Sequence, residues 1–153
     1  MNNQARSRNK ELNYKKKWFN RYKILIDEEQ YLIDKLDLLV DKMHTVQSVK
    51  FNNEPRGGLP ITLDDRLIQK EKIKQRIAKV HKACCICRNE ILEVLCIMED
   101  YKSADILERH YLDLETWQTI ADNMGYSYRH IHRLYKKALE LVEIPTKNTS
   151  TIH

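Results

Sequence analysis

The most constraining feature of this sequence is a series of apolar residues that recur in alternating steps of four and three. These residues are Ile73, Ile77, Val80, Cys84, Cys87, Ile91, Val94 and Met98. A mean period of 3.5 residues places them along one face of an α-helix, which is the pattern by which helices pack as coiled coils. The sequence therefore predicts a helix over about residues 64–101 with one face buried against another helix.

A second long helix with the same pattern is predicted before it. Its apolar positions are Leu25, Leu32, Leu36, Leu39, Met43 and Val46. The intervening residues 52–60 hold two prolines and a Gly-Gly pair, which cannot continue a helix. We therefore expect an antiparallel, coiled-coil-like helical hairpin over 14–101, with a symmetric dimer as a competing or additional use of its apolar face. Because the chain has only three Gly and three Pro, the expected fold is all-α.

Positive charge is concentrated at the N-terminus. The net charge is +5, and residues 1–23 hold eight Lys/Arg against one acid, Glu11. Residues 1–13 are expected to form a disordered basic arm, and residues 145–153 a frayed tail. Such an arm suits a polyanion, although a solvated basic tail without a partner is the alternative. Trp18 and Tyr22 are interpreted as inward-packing residues of the first helix, with nucleic-acid contact as the alternative.

The predicted domain boundary falls just after residue 101. Residues 100–105 form a candidate hinge, and Ser103 is expected to cap a short helix over 104–111. The C-terminal domain is therefore expected to span residues 102–144.

Two short helices joined by a tight turn are predicted within this domain. Thr116 is expected to cap a helix over 117–124, and Ser127 to cap another over about 128–143. Gly125 lies between them, where the chain must turn and where glycine adopts a positive φ without steric cost. The positions expected to face inward are Ile120, Ala121, Met124, Tyr126, Ile131 and Leu134. This layout is typical of a DNA-binding helix-turn-helix.

The second of these helices has a cationic outer face. The residues predicted to contact base edges are Tyr128, Arg129, His132 and Arg133. An arginine can donate two hydrogen bonds to a guanine edge, and free N–H groups at a helix start can hold a phosphate. The residues predicted to contact the DNA backbone from this pattern are Thr116, Ser127, Lys136 and Lys137. The alternative is a solvated basic face that binds protein.

No metal, cofactor or catalytic site is expected. Cys84 and Cys87 form a C-x-x-C pair, but both lie on the apolar face of a helix, which favours packing over zinc or redox chemistry. His130 and His132 are two residues apart on a helix and point in different directions. The chain has no Gly-rich phosphate loop and no nucleophile motif. Because no apolar run approaches about 20 residues, we expect a cytoplasmic protein with reduced thiols and no membrane contact.

Residues 107–142 resemble the fourth region of bacterial sigma factors. The similar residues are Tyr111-Leu-Asp-Leu-Glu-Thr-Trp-Gln-Thr-Ile-Ala-Asp-Asn-Met-Gly-Tyr-Ser127, then Ile131 and Lys137-Ala-Leu139. Two positions depart from that pattern: Met124 replaces the usual Leu, and Leu114 replaces a frequent turn glycine. The resemblance implies that Thr116 and Gln118 meet the DNA backbone and that the base-contacting residues named above enter the groove.

The long helical pair followed by this segment resembles the small phage and prophage transcriptional regulators with a sigma-like C-terminus. Residues 1–100 show no counterpart of the second sigma region, so we expect an activator or accessory factor that binds double-stranded DNA. The hairpin is expected to mediate homo-oligomerisation, with a dimer favoured, or to contact RNA polymerase. Two other classes stay open: a DNA-packaging protein similar to a small terminase subunit, and a helical interaction module whose basic helix binds an acidic protein.

Overall fold

The computed structural model describes residues 2–48 and 62–145, and it confirms the prediction of an all-α protein. The described helices are α1 Asn2–Ser48, α2 Leu63–Cys96, α3 Tyr101–Tyr111, α4 Trp117–Met124 and α5 Tyr128–Leu141. The predicted loop over 52–60 and the predicted tail beyond residue 145 lie outside the described residues. None of the helices in the described part of the chain is long and apolar enough to cross a membrane.

The helices are distributed over two compact units. The larger unit comprises Met1–Ile24 and Cys85–His153, and the smaller unit comprises Leu25–Cys84. The first half of α1 and the end of α2 therefore group with α3, α4 and α5. The sequence had instead predicted one boundary, near residue 101.

The N-terminal segment is helical, so the prediction of a disordered arm over residues 1–13 is wrong from residue 2 onward. α1 begins at Asn2. Seven of its thirteen residues are Gln, Ala, Arg, Lys, Glu or Leu, which all favour helix, and it has no Gly or Pro. Two ion pairs hold it: Glu11 with Lys15 one turn later (3.2 Å), and Arg8 with Glu140 of α5 (3.2 Å).

The core of the larger unit receives side chains from all of its helices. The largest fully buried side chains are Phe19, Ile91, Ile106, Leu107, Ile120, Ile131, Leu139 and Val142. Phe19 stacks on Tyr111 of α3 with a centroid distance of 5.0 Å. Trp18 and Tyr22, which the sequence predicted as the inward residues, are only half-buried. Phe19 is therefore the aromatic residue that fixes α1 to the rest of this unit.

Lys15 fixes α1 to the end of α5. Its Nζ donates to the carbonyl oxygens of Leu139 (3.0 Å) and Glu140 (3.3 Å), and the residue is only 6% exposed. The last carbonyls of a helix have no partner within the helix, and the C-terminal end of the helix dipole attracts a cation. The buried ammonium group therefore satisfies groups that α5 itself leaves open.

In the smaller unit, α2 is the more deeply buried helix. Ile73, Val80 and Cys84 are buried, whereas α1 contributes only half-buried apolar side chains. The half-buried apolar residues of α1 are Leu25, Ile26, Leu32, Ile33, Leu36, Leu39, Val40 and Met43. An ion pair joins Glu28 of α1 to Arg76 of α2, and a hydrogen bond joins Glu29 to His81, so the two helices lie side by side within this unit.

Candidate nucleic-acid interface

The two short helices begin at the predicted caps. The Thr119 N–H donates to Thr116 Oγ1 and the His130 N–H donates to Ser127 Oγ, both at 3.2 Å. Each cap residue has an extended backbone, as the first position before a helix requires. α4 therefore spans the predicted residues, while α5 ends at Leu141, two residues earlier than expected.

The turn between α4 and α5 is closed by Gly125, as predicted. Gly125 has φ 69°, a left-handed conformation that disfavours residues with a Cβ. The Tyr126 N–H donates to Ala121 O (2.9 Å), and the Gly125 N–H donates to Asp122 O (3.3 Å). This pair of bonds is the Schellman arrangement, which satisfies the last carbonyls of α4 and sets the direction in which α5 leaves the turn.

Packing behind the turn follows the predicted inward positions. Ile120, Ala121 and Ile131 are buried, and Met124, Tyr126 and Leu134 are half-buried. α5 also buries residues beyond that set, namely Tyr135, Ala138 and Leu139. Because one face of α5 is buried against α3 and α4, its opposite face is exposed.

The exposed face of α5 carries cations. Tyr128 is 51% exposed, and Arg129, Arg133, Lys136 and Lys137 are exposed as well. Arg133 Nη2 donates to His130 Nδ1 at 2.7 Å, so the guanidinium group is held near the start of the helix. Ser127, Arg129, His130 and Arg133 line one shallow depression there. Arg129 and Lys136 have no ion-pair partner within the described residues.

Lys137 has a different environment from Lys136. Its Nζ lies 3.9 Å from Asp100 Oδ2, and Asp100 caps α3. The pKa of the Asp100 carboxyl is lowered, chiefly by the hydrogen bond from Ser103 Oγ and less by Lys137. The carboxylate therefore stays ionised and compensates part of the lysine charge. Of the two predicted phosphate-binding lysines, Lys136 is the one with an uncompensated charge.

His132 does not lie on the exposed face with the arginines. It is half-buried, and its ring packs against those of Trp117 and Tyr128, with centroid distances of 4.8 Å and 4.5 Å. Its Nε2 is buried and has no hydrogen-bond partner among the described residues. Of the side chains predicted to contact bases, His132 is thus the one that packs behind the surface and supports Tyr128.

Three of the predicted backbone contacts, Thr116, Gln118 and Ser127, lie at the start of α4 and α5. Thr116 and Gln118 are exposed, and Gln118 Nε2 donates to Asp122 Oδ1 at 2.9 Å. The Thr116 hydroxyl bonds the Thr119 hydroxyl at 2.8 Å. The N–H groups in the first turn of α4 are therefore next to an exposed polar surface.

Sequence reasoning missed an aromatic group that joins α3 to α4 and α5. His110 stacks on Trp117 with a centroid distance of 3.9 Å, and the hydroxyls of Tyr111 and Tyr135 are 2.7 Å apart. Burial lowers the pKa of His110 to about 4 and raises that of Tyr111. All these groups are therefore neutral at pH 7. Spacing within one helix could not have indicated them, because each ring meets a ring from another helix.

The cysteines are distributed between core and surface. Cys84 and Cys87 are buried, as expected for packing residues, while Cys85 and Cys96 are exposed. Burial raises the pKa of the Cys87 thiol, so this thiol is protonated at neutral pH. Within the described residues, no three His, Cys, Asp or Glu side chains are grouped so as to hold a metal ion.

Comparisons with protein-family models, with curated proteins and with solved structures give no match to this chain.

Proposed function

We propose that this protein is a sequence-specific, double-stranded DNA-binding transcriptional regulator of phage or prophage genes, acting as an activator or accessory sigma-like factor. The observation that carries the proposal is the exposed face of α5. It presents Arg129, Arg133 and Lys136 without an acid among them, directly after a capped turn. A short capped helix with such a face fits the major groove, and the helix before it then crosses the DNA backbone.

The finer architecture belongs to the same proposal. α4 and α5 act as a helix-turn-helix similar to the fourth sigma region. Contacts between α1 and α2 in the smaller unit pair early residues of one helix with late residues of the other: Glu28 with Arg76, and Lys42 with Arg66. This pairing supports an antiparallel helical hairpin, which we assign to self-association or to contact with RNA polymerase.

The residues have distinct roles in this proposal. Arg129 and Arg133 donate to base edges, where a bidentate arginine–guanine pair contributes about 1–3 kcal/mol of discrimination. Tyr128 contacts bases near the start of α5, and His132 holds its ring in place. The N-terminal turns behind Thr116 and Ser127, with Gln118 and Lys136, bind phosphates.

The test has two stages. Duplexes that the full-length protein binds are first selected from a random-sequence pool. Arg129→Ala and Arg133→Ala are then measured on the selected site and on mixed-sequence DNA. We expect each variant to lose about 1–3 kcal/mol on the selected site and less on mixed-sequence DNA, because base contacts carry the sequence information. Lys79→Ala, which removes one exposed cation from the smaller unit, is the control and should bind like the unsubstituted protein.

Two results would contradict this function. Equal losses on selected and mixed-sequence DNA would mean that both arginines meet only phosphates. A failure of the unsubstituted protein to bind any duplex at low salt, where phosphate binding is strongest, would instead favour a helical module that binds an acidic protein.

A further inference from the structure

A second cationic surface, distinct from the face of α5, lies on α1. Lys16, Lys17 and Asn20 line a shallow pocket together with His110 and Tyr111 of α3. Both lysines are exposed, and neither has an ion-pair partner among the described residues. Nothing in the proposed role of α5 uses this pocket.

The backbone of these lysines is held in place by their neighbours. Lys15 is bound to the carbonyls at the end of α5, and Phe19 is fully buried and stacks on Tyr111. These two contacts are four residues apart, about one helical turn, and lie on either side of the lysine pair in the sequence. Lys16 and Lys17 are therefore presented by a fixed helix, which lowers the entropy lost when they bind a ligand.

Ring contacts link the pocket to the start of both short helices. His110 of the pocket stacks on Trp117, the first residue of α4, at 3.9 Å. The ring centroids of Trp117 and His132 are 4.8 Å apart. Those of His132 and Tyr128, the first residue of α5, are 4.5 Å apart. Three successive ring contacts thus join the lysine pocket to the surface assigned to DNA.

The charge of the pocket comes from the lysines. His110 is neutral at pH 7, because burial lowers its pKa to about 4. Lysine binds phosphate as a point charge without directional selectivity, and the Asn20 amide can donate a further hydrogen bond. These groups suit a phosphodiester, whose oxygens accept hydrogen bonds from both the ammonium and the amide groups.

We propose that Lys16 and Lys17 bind backbone phosphates of the same duplex, beside the groove that α5 enters. This inference rests on the proposed DNA-binding function and extends its interface onto α1. It assigns the pocket to DNA backbone recognition, so its loss should weaken binding to all sequences by the same factor.

The experiment measures the salt dependence of binding. The full chain is titrated into a labelled, mixed-sequence duplex of about 30 base pairs over a range of salt concentrations, and the slope of log Kobs against log salt is fitted. Lys16→Ala/Lys17→Ala is compared with Lys79→Ala/Lys82→Ala, which removes the same charge from the smaller unit. Alanine preserves helix propensity in both variants. We expect the first variant to reduce the magnitude of the slope by about 2, at about 0.9 for each lost phosphate contact, and the control to keep the original slope.

The outcomes separate this inference from the function on which it rests. If the unsubstituted protein binds and Arg129→Ala weakens binding, but the lysine variant matches its control, the inference is overturned and the proposed function stands. If the unsubstituted protein does not bind at low salt, the proposed function fails. Lys16→Arg/Lys17→Arg retains both charges and should keep the full slope. A loss of slope in this variant would show a structural effect and would overturn the inference as well.

Discussion

At the scale of single residues, His110 gives the protein a defined sensitivity to acid. Burial among Trp117 and other rings is the main cause of its low pKa, about 4, against 6.5 for an ordinary histidine. Between these two pH values the unfolded chain binds a proton that the folded chain does not. The stabilisation is thus complete above pH 6.5 and is lost as the pH falls toward 4.

We therefore predict that lowering the pH from 7 to 4.5 costs the protein about 1–2 kcal/mol through this residue. The full linkage value would be about 1.36 kcal/mol for each pH unit between 6.5 and 4.5. We expect a smaller total because the ring is partly exposed to solvent. Urea unfolding at both pH values, in the unsubstituted protein and in His110→Phe, measures it. The Phe variant retains stacking on Trp117 and should lose less stability in acid. The same loss in both proteins would contradict the prediction.

Some residue roles could be predicted from sequence and others could not. The caps at Thr116 and Ser127 were predictable, because a capping side chain bonds the backbone only three residues later. The exposure of Arg129 and Arg133 followed from helical periodicity. The position of His132 did not, because its ring is turned by contacts with Trp117 on another helix.

At the scale of elements, the start of a helix depends on which of several similar residues serves as its N-cap. α3 begins at Tyr101 because Asp100 accepts from the N–H groups of Lys102 (3.2 Å) and Ser103 (3.4 Å). The expected cap, Ser103, is instead a buried residue inside the helix whose hydroxyl donates to Asp100 at 2.8 Å. Both residue types cap helices well, so the sequence pattern could not distinguish them.

The connection between α3 and α4 contains the only non-glycine residue with positive φ in the described part of the chain. Leu114 has φ 55°, a left-handed conformation that favours glycine. The left-handed conformation costs a residue with a Cβ about 1–2 kcal/mol, so the turn keeps its geometry despite an unsuitable residue.

We predict that Leu114→Gly is about 1 kcal/mol more stable than Leu114→Ala, because only glycine removes the backbone strain. Both variants lose the partly exposed leucine side chain, so the comparison isolates the backbone. Thermal or urea unfolding of the two variants measures the difference. A glycine variant less stable than the alanine variant would show that the turn carries no such strain.

At the scale of the whole molecule, the smaller unit presents apolar and charged surface that suits a second copy of the chain. Tyr31 and Leu38 of α1 are each 62% exposed and are seven residues apart, and Leu67 and Ile68 of α2 are also exposed. Residues 25–45 hold six acids and two Lys/Arg, while residues 63–84 hold seven Lys/Arg and three acids. The acidic stretch of α1 in one copy is therefore complementary in charge to the basic stretch of α2 in another, and both helices expose apolar side chains.

We predict a dimer in solution that depends on this surface. Light scattering after size-exclusion chromatography should show twice the protomer mass for the unsubstituted protein. Tyr31→Glu/Leu38→Glu should raise the dissociation constant at least about tenfold, because burying one large apolar side chain contributes about 1.5–3 kcal/mol. Ile97→Glu, at an exposed position in the larger unit, is the control and should remain dimeric.

Other oligomeric states would change the interpretation of the whole molecule. A monomer at all concentrations would contradict the prediction and leave RNA polymerase as the proposed partner of the hairpin. A ring of many subunits would favour the DNA-packaging class, in which a helix-turn-helix is joined to an oligomerising helical pair.

The overall fold class was predictable from the scarcity of Gly and Pro and from the apolar spacing of α2. The grouping of the first half of α1 with α3, α4 and α5 was not. Helical periodicity alone did not distinguish Phe19 from its neighbours Trp18 and Tyr22 as the buried residue, since the choice depends on Tyr111 of a distant segment. No pattern of local spacing predicts that the Lys15 ammonium group donates hydrogen bonds to the carbonyl oxygens of Leu139 and Glu140.

The buried ammonium group of Lys15 has a consequence for dissecting this protein. A fragment cut before α3, which the sequence suggests as a minimal DNA-binding piece, would lack the cation that closes the last turn of α5. It would also leave the face of Tyr111 without Phe19. The smallest fragment that retains its own core must combine two distant stretches of chain, so the two would have to be joined by a linker or expressed as separate peptides that reassociate.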